Sequence, residues 1–211
     1  MNEYHKIQTM FKRDEFNRII EGVWTLPEFE YLKNNLWVFT EKVDGTNIRV
    51  KWDGAKVTFG GRTDNASIPT YLYNKLEDRF KTSEQVEIFK ETFGTDNEVC
   101  LYGEGYGAKI QKGGGNYNPS GVDFVLFDVR VANWWLLRPD IEEIAGRFNI
   151  DIVPIVGEGT LADGITLTKS GMKSHWGDFL SEGVVAKPKV ELVTRKGDRI
   201  ITKIKHRDFT T

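Results

Sequence analysis

The stretch Glu41-Lys42-Val43-Asp44-Gly45-Thr46-Asn47 decides the reading of this chain. Apolar Leu36, Trp37, Val38 and Phe39 precede it. Ile48, Val50 and Trp52 follow it, alternating with Arg49 and Lys51. That alternation predicts a strand, and Asp44-Gly45 predicts a turn. Lys42 is therefore expected at a strand end. Position alone fits a surface charge as well as a functional amine, so the rest of the chain has to supply partners for it.

Length and composition set the bounds. The 211 residues suit one domain over 1–211, large enough to bury a sizeable core. With 39% hydrophobic and 28% charged residues, the chain reads as globular. The net charge is -2, from 29 basic and 31 acidic side chains, so any basic surface for nucleic acid must be local. Cys100 is the one cysteine, which excludes an internal disulfide and fits a reducing compartment. Its neighbours Val99 and Leu101 predict a buried strand thiol. The first twelve residues lack an apolar signal core, and no run reaches membrane-spanning length. The expectation is a cytoplasmic protein, monomeric, with no membrane partner.

Outward from the central stretch, Asp53-Gly54 predicts a hairpin and Lys56–Phe59 the next strand, ending at Gly60-Gly61-Arg62. An arginine emerging from a glycine kink suits an anion, since its fork can grip phosphate or carboxylate. Upstream, Asp14–Glu21 is expected to be a short helix ended by Gly22. Residues 70–93 predict helix, with Thr82-Ser83 dividing two segments, and their aromatics read as core. Val99–Tyr102 predicts a strand running into Gly103-Glu104-Gly105-Tyr106-Gly107. Seven glycines fall from Gly103 to Gly121, with Lys109, Lys112, Tyr106 and Tyr117 among them. Cations and aromatics in such a loop suit RNA or a plain solvated loop.

Val122–Val131 predicts a strand buried on both faces, and Pro139 the first turn of a helix. Ile152–Val156 predicts another strand, and the stretch through Phe179 a weakly patterned, helical one. Ser181–Pro188 predicts a strand with Glu182, Val184 and Ala186 on one side, and Val185 and Lys187 on the other. Lys196-Gly197-Asp198 predicts a turn, and Arg199–Lys205 a last strand projecting Lys203 and Lys205 from one face.

Lys42, Arg62, Glu104, Glu182, Lys187, Lys203 and Lys205 thus gather at strand ends. Five cations with two carboxylates suit a polyphosphate and a divalent metal. The glycines match neither a Rossmann fingerprint nor a P-loop. His5, His175 and His206 lack metal-hydrolase spacing, and no serine elbow occurs.

These residues resemble a known set. Lys42-Val43-Asp44-Gly45 with Asn47 resembles the Lys-x-Asp-Gly nucleophile motif of the covalent nucleotidyltransferases, the DNA and RNA ligases and mRNA capping enzymes. Arg62, Glu104 in Gly103-Glu104-Gly105, Phe127 in Phe127-Asp128-Val129, Glu182–Pro188 and Lys203-Ile204-Lys205 are similar to the five motifs that follow, in the same order, over positions 42 to 205. Within that group, Glu41–Asn47 and Glu182–Pro188 look most like ATP-dependent RNA ligases of the RNA ligase 2 type, common in phages and linked to RNA repair.

The resemblance implies an α+β nucleotidyltransferase (ligase adenylation) domain, with antiparallel sheets forming a nucleotide cleft flanked by helices. Six residues follow Lys205, so no C-terminal oligonucleotide-binding or helical domain is expected. It further implies that Lys42 attacks ATP to form lysyl-AMP, that AMP moves to an RNA 5′-phosphate, and that a 3′-hydroxyl then displaces it. Lys42, Lys203 and Lys205 would be catalytic. Glu41, Asn47, Arg62, Glu104, Phe127, Glu182 and Lys187 would join them in holding the nucleotide, with Phe127 on adenine and Glu104 on ribose. Glu182 and Glu104 would meet Mg2+ or Mn2+. A free lysine is almost wholly protonated at pH 7, so neighbouring cations would be needed to release the amine. A DNA-joining or nick-sealing enzyme, a GTP-using capping-type enzyme and a catalytically silent nucleotide- or RNA-binding module stay open.

Overall fold

The structure, a computed structural model, describes residues 3–210. The chain divides into two compact units. One holds Asp44–Val153 with residues 3–4. The other holds His5–Val43 and residues 154–210. The chain passes between them at Val43/Asp44, inside Glu41–Asn47, and again at Val153/Pro154.

The first unit is built on one sheet. Its strand order is Asp151–Ile152, Val122–Val131, Val99–Gly107, Thr46–Trp52 and Val57–Gly60, with Trp134–Trp135 added beside Val122–Val131. All pairs are antiparallel except Asp151–Ile152, which runs parallel to its neighbour. The period of two sorts the side chains cleanly. Ile48, Val50, Trp52, Leu101, Phe124, Leu126 and Val129 form one face, buried against helices Thr70–Phe80, Ser83–Phe93 and Arg138–Phe148. The two predicted helices over 70–93 are there, separated at Thr82, whose hydroxyl accepts from the Gln85 N–H and caps the second. The opposite face carries the polar rows. Asn47 lies opposite Glu104, and Arg49 opposite Tyr102.

The second unit has a five-stranded sheet in the order Gln8–Thr9, Thr202–Lys205, Gly183–Pro188, Trp37–Glu41 and Ile155–Gly159. Gln8–Thr9 pairs in parallel and the rest antiparallel. Trp37, Phe39, Val184, Ala186 and Ile204 pack with Leu161, on helix Leu161–Lys169, and with Met10, Phe11 and Phe29. The architecture is the expected α+β, with mostly antiparallel sheets and flanking helices.

Several expected elements differ in the structure, and the stretch expected to be helical through Phe179 is helical only over Leu161–Lys169. Asp14–Glu21 is not helical: Asp14 Oδ1 accepts from the N–H groups of Phe16 and Arg18, and Asn17 sits at φ 63. That turn sends Ile19–Trp24 back as a strand against Phe11–Arg13. Ile152–Val156 is two strands, because the chain changes unit at Val153/Pro154. The last strand begins at Thr202, not Arg199. Cys100 is buried as expected, and burial pushes its thiol up to about 11, so it is no nucleophile at neutral pH.

Gly103 shows why glycines flank Glu104. Its Cα faces the core, where a Cβ would stand 2.2 Å from the Phe124 ring. Gly103→Ala is expected to cost about 1–3 kcal/mol through overpacking, read as a lowered denaturant midpoint with an unchanged m value.

Candidate active site

Lys42 directly follows strand Trp37–Glu41, which lies between Gly183–Pro188 and Ile155–Gly159. Its backbone N–H donates to the Gly183 carbonyl at 2.9 Å, which pins it beside the neighbouring strand. Its Nζ lies 2.6 Å from Glu182 Oε2. The other carboxylate oxygen, Oε1, lies 2.6 Å from Lys205 Nζ. One carboxylate therefore bridges two ammonium groups, and all three side chains are largely buried. Lys203 and Lys187 share their sheet face: Val185 lies opposite Lys203 on one side and Thr40 on the other, and Lys187 follows two residues on.

Strict alternation would place Glu182 with Val184, on the core face. Gly183 overturns that expectation. It adopts φ +146, a conformation L side chains avoid, and a Cβ there would lie 2.0 Å from the Ile204 carbonyl oxygen. The chain turns at this residue, and Glu182 reaches the lysine face. Burial pushes the Glu182 carboxyl up, but the charges and hydrogen bonds of Lys42 and Lys205 outweigh it and hold the group below its ordinary value of 4.5.

Glu41, expected among the nucleotide contacts, is not on that face. It follows Trp37 and Phe39 in the alternation and is 1% exposed. The Ser174 hydroxyl donates to its Oε1 at 2.6 Å, and the His175 N–H to its Oε2 at 2.8 Å. Its side chain ties the loop after helix Leu161–Lys169 to the strand that carries Lys42.

The other expected residues lie on the first unit. Asn47 and Glu104 are directly opposed on the face away from the helices, and Asn47 Oδ1 is buried with no hydrogen-bond partner. An orphaned buried acceptor is a group a ligand can satisfy. Arg62 is exposed, with no ion-pair partner among the described residues. Phe127 occupies a bulge: Leu126 lies opposite Gly103 and Asp128 opposite Tyr102, so Phe127 has no partner across the ladder. Bulges re-aim side chains and recur beside active sites. Tyr106 and Tyr117, read as possible RNA-stacking groups, are buried and packed on each other with ring centroids 6.1 Å apart. Lys109 and Lys112 remain exposed.

Arg49 was missed by the sequence reading. Alternating with Ile48 and Val50, it looks like a solvent residue, yet it is 0% exposed. Its Nε donates to the Gly61 carbonyl at 2.7 Å and its Nη2 to Asp64 Oδ1 at 2.8 Å. It thereby braces the segment from which Arg62 projects. No sequence signal marks it.

Among the described residues, no group of three or more His, Cys, Asp or Glu side chains is set to hold a metal ion. Mg2+ often takes only one or two carboxylates, with waters and substrate phosphates completing its shell. Glu104 is half-buried on the polar face, and both oxygens of Glu182 are engaged by lysines. Either carboxylate by itself fits an ion carried on phosphates rather than one caged by protein.

A family model described as RNA ligase matches residues 35–205. The chain belongs to the RNA ligase family. The match runs through both units and includes every residue of the lysine–carboxylate cluster. The fold is similar to solved structures of the Naegleria gruberi RNA ligase. For one variant with ATP and Mn, the TM-score is 0.65 at 19% identity, covering 96% of this chain and 57% of that one. A second variant with ATP and Mn gives 0.66 at 17%, covering 97% and 61%. A structure with PPi gives 0.63 at 19%, covering 98% and 62%. The chain thus spans about three-fifths of the length of these ligases. No curated protein matches it. Among the described residues, no helix is long and apolar enough to cross a membrane.

Glu182→Gln tests the cluster. Removing the charge that two buried ammonium groups share is expected to cost about 3 kcal/mol at pH 7. Because the Glu182 pKa is lowered on folding, its contribution is present above about 4.5 and is lost as pH falls through the folded value. The stability gap between wild type and variant, from urea melts across pH 7 to 3, should therefore close below about 4.5.

Proposed function

We propose that the chain is an ATP-dependent RNA ligase that joins 5′-phosphate and 3′-hydroxyl ends through a lysyl-AMP intermediate. The observation that carries this is the Lys42–Glu182–Lys205 cluster, lying within a chain of the RNA ligase family. We take residues 1–211 as one nucleotidyltransferase domain composed of both units, since the family match runs through each.

Two ammonium groups around one carboxylate leave one net positive charge in a largely buried setting, which suits a phosphate chain. While Lys42 donates to Glu182, its nitrogen has no free electron pair. Attack on the α-phosphorus of ATP requires that contact to break and the ammonium to lose a proton to solvent. The N–P bond then forms as the bond to pyrophosphate breaks, and pyrophosphate leaves with the electron pair. Lys205 and Lys203 are the cations placed on the same sheet face to neutralise the charge that develops, and Lys187 offers a further phosphate contact. On the first unit, we assign Phe127 to the base, Glu104 and Asn47 to the ribose, and Arg62 to phosphate, as the family resemblance implies. Glu41 acts through its packing.

Glu182 and Glu104 are the carboxylates we assign to a divalent ion, Mg2+ or Mn2+, which when bound would supply charge compensation at the triphosphate. Two of the Naegleria ligase structures contain ATP and Mn, which supports a divalent ion as cofactor. In the second step the RNA 5′-phosphate oxygen attacks lysyl-AMP and frees Lys42. In the third, the 3′-hydroxyl attacks the activated phosphate and AMP leaves.

Incubation with α-labelled ATP and Mg2+ should give a covalent, acid-labile, alkali-stable label. Lys42→Ala is expected to reduce it at least about 10³-fold, with an unfolding midpoint close to wild type. Label retained by Lys42→Ala would overturn the assignment. Joining of nicked RNA but not nicked DNA by the labelled enzyme would establish the substrate.

A further inference from the structure

We propose that Tyr4 is a positioning residue for the nucleotide base, acting through Phe127 and Asp128. The inference rests on the reading above that Phe127 stacks on the purine.

The bulge creates the need for such a residue. Phe127 is the extra residue between the Leu126–Gly103 and Asp128–Tyr102 pairs, so no cross-strand partner fixes where its ring points. It is also only half-buried, and a stacking platform that swings loses affinity. Tyr4 supplies the missing constraint. Its ring lies edge-on to Phe127, with centroids 5.1 Å apart and planes at 72°. Edge-to-face contact leaves a ring's face available while limiting its rotation. The Tyr4 hydroxyl donates to Asp128 Oδ2 at 2.5 Å, and Asp128 is 1% exposed. Tyr4 therefore holds both residues at the bulge, one by its ring and one by its hydroxyl.

Tyr4 is itself held. Its ring packs on Tyr102 at 5.1 Å and on Trp135 at 5.7 Å, and it is 7% exposed. Next to it, Glu3 Oε1 accepts from the Asp64 N–H at 3.0 Å. Asp64 is the carboxylate that pairs with Arg49 under the Arg62 segment. Two consecutive residues near the start of the chain thus reach the two places on the first unit from which Phe127 and Arg62 project. A tyrosine that only filled the core would need its ring but would not need to donate to the residue next to the stacking platform.

The test is equilibrium binding of ATP and GTP to wild type, Tyr4→Phe, Tyr4→Leu, Phe127→Leu and the Tyr4→Leu/Phe127→Leu double variant, with covalent AMP formation measured alongside. Tyr4→Leu should raise the Kd and KM for ATP about tenfold, leave the kcat of AMP transfer within about threefold, and reduce the preference for ATP over GTP. Tyr4→Phe, which keeps the edge contact and loses the bond to Asp128, should recover only part of the affinity. The double variant should be no weaker than Phe127→Leu alone, since the two side chains act on one contact.

Additive losses in the double variant would overturn the proposal. So would unchanged ATP affinity in Tyr4→Leu, or a fall in kcat that merely tracks the folded fraction in a thermal melt. If wild type binds ATP without forming a covalent adduct, the ligase reading fails, and the Tyr4 proposal is still decided by the Kd series. If wild type binds no ATP, both fall.

Discussion

One carboxylate shared by two ammonium groups is the constraint around which the second unit is arranged. Three largely buried charges cannot be left to find each other, because desolvating them costs several kcal/mol per ion unless the geometry is good. The sheet supplies that geometry. The Lys42 N–H is bonded to the Gly183 carbonyl, Gly183 is paired with Lys205, and the His206 N–H donates to the Glu182 carbonyl. Each member of the trio is thus fixed by a backbone contact within one residue of it. The conformation of Gly183 then sends the Glu182 side chain toward the cations rather than into the core. Such a cluster contributes less to net stability than to a defined local charge, one positive unit held ready for an anion.

The first unit solves a different problem, presenting uncharged and charged contacts from a single rigid surface. Its sheet divides its work by face. Aromatic and aliphatic side chains on one side pack against three helices, and this packing makes the other side stiff enough to carry polar groups in register. Glycines at 103 and 105 let the core face stay crowded while Glu104 points the other way. The bulge at Phe127 interrupts the alternation where an aromatic has to be re-aimed. Arg49 spends a fully buried guanidinium on the backbone beneath Arg62. These are departures from the regular strand pattern, and they cluster at the residues assigned to the nucleotide.

Much of this was legible in the chain itself. The hydrophobic periods located the core strands and the two helices over 70–93, and the Asp44-Gly45 and Asp53-Gly54 turns placed the strands between them. Lys42, Glu182 and Lys205 were recognisable by residue type and by order along the chain. The misreadings share one cause. Asp14–Glu21, Ile152–Val156 and the side assigned to Glu182 were all read from local period, and each was decided by a backbone turn: Asn17 at positive φ, the passage between units at Val153/Pro154, and Gly183 at φ +146.

The sequence by itself determined the family and the α+β class, because ordered motifs and hydrophobic periodicity are properties of the linear chain. Only the tertiary structure decided that Glu182 bridges Lys42 and Lys205, that Glu41 is a buried strut, that Arg49 lies under the Arg62 segment, and that Tyr4 holds the bulge. These depend on distances between residues 12 to 140 positions apart, which follow from strand pairing and packing. No local pattern of residue types encodes them.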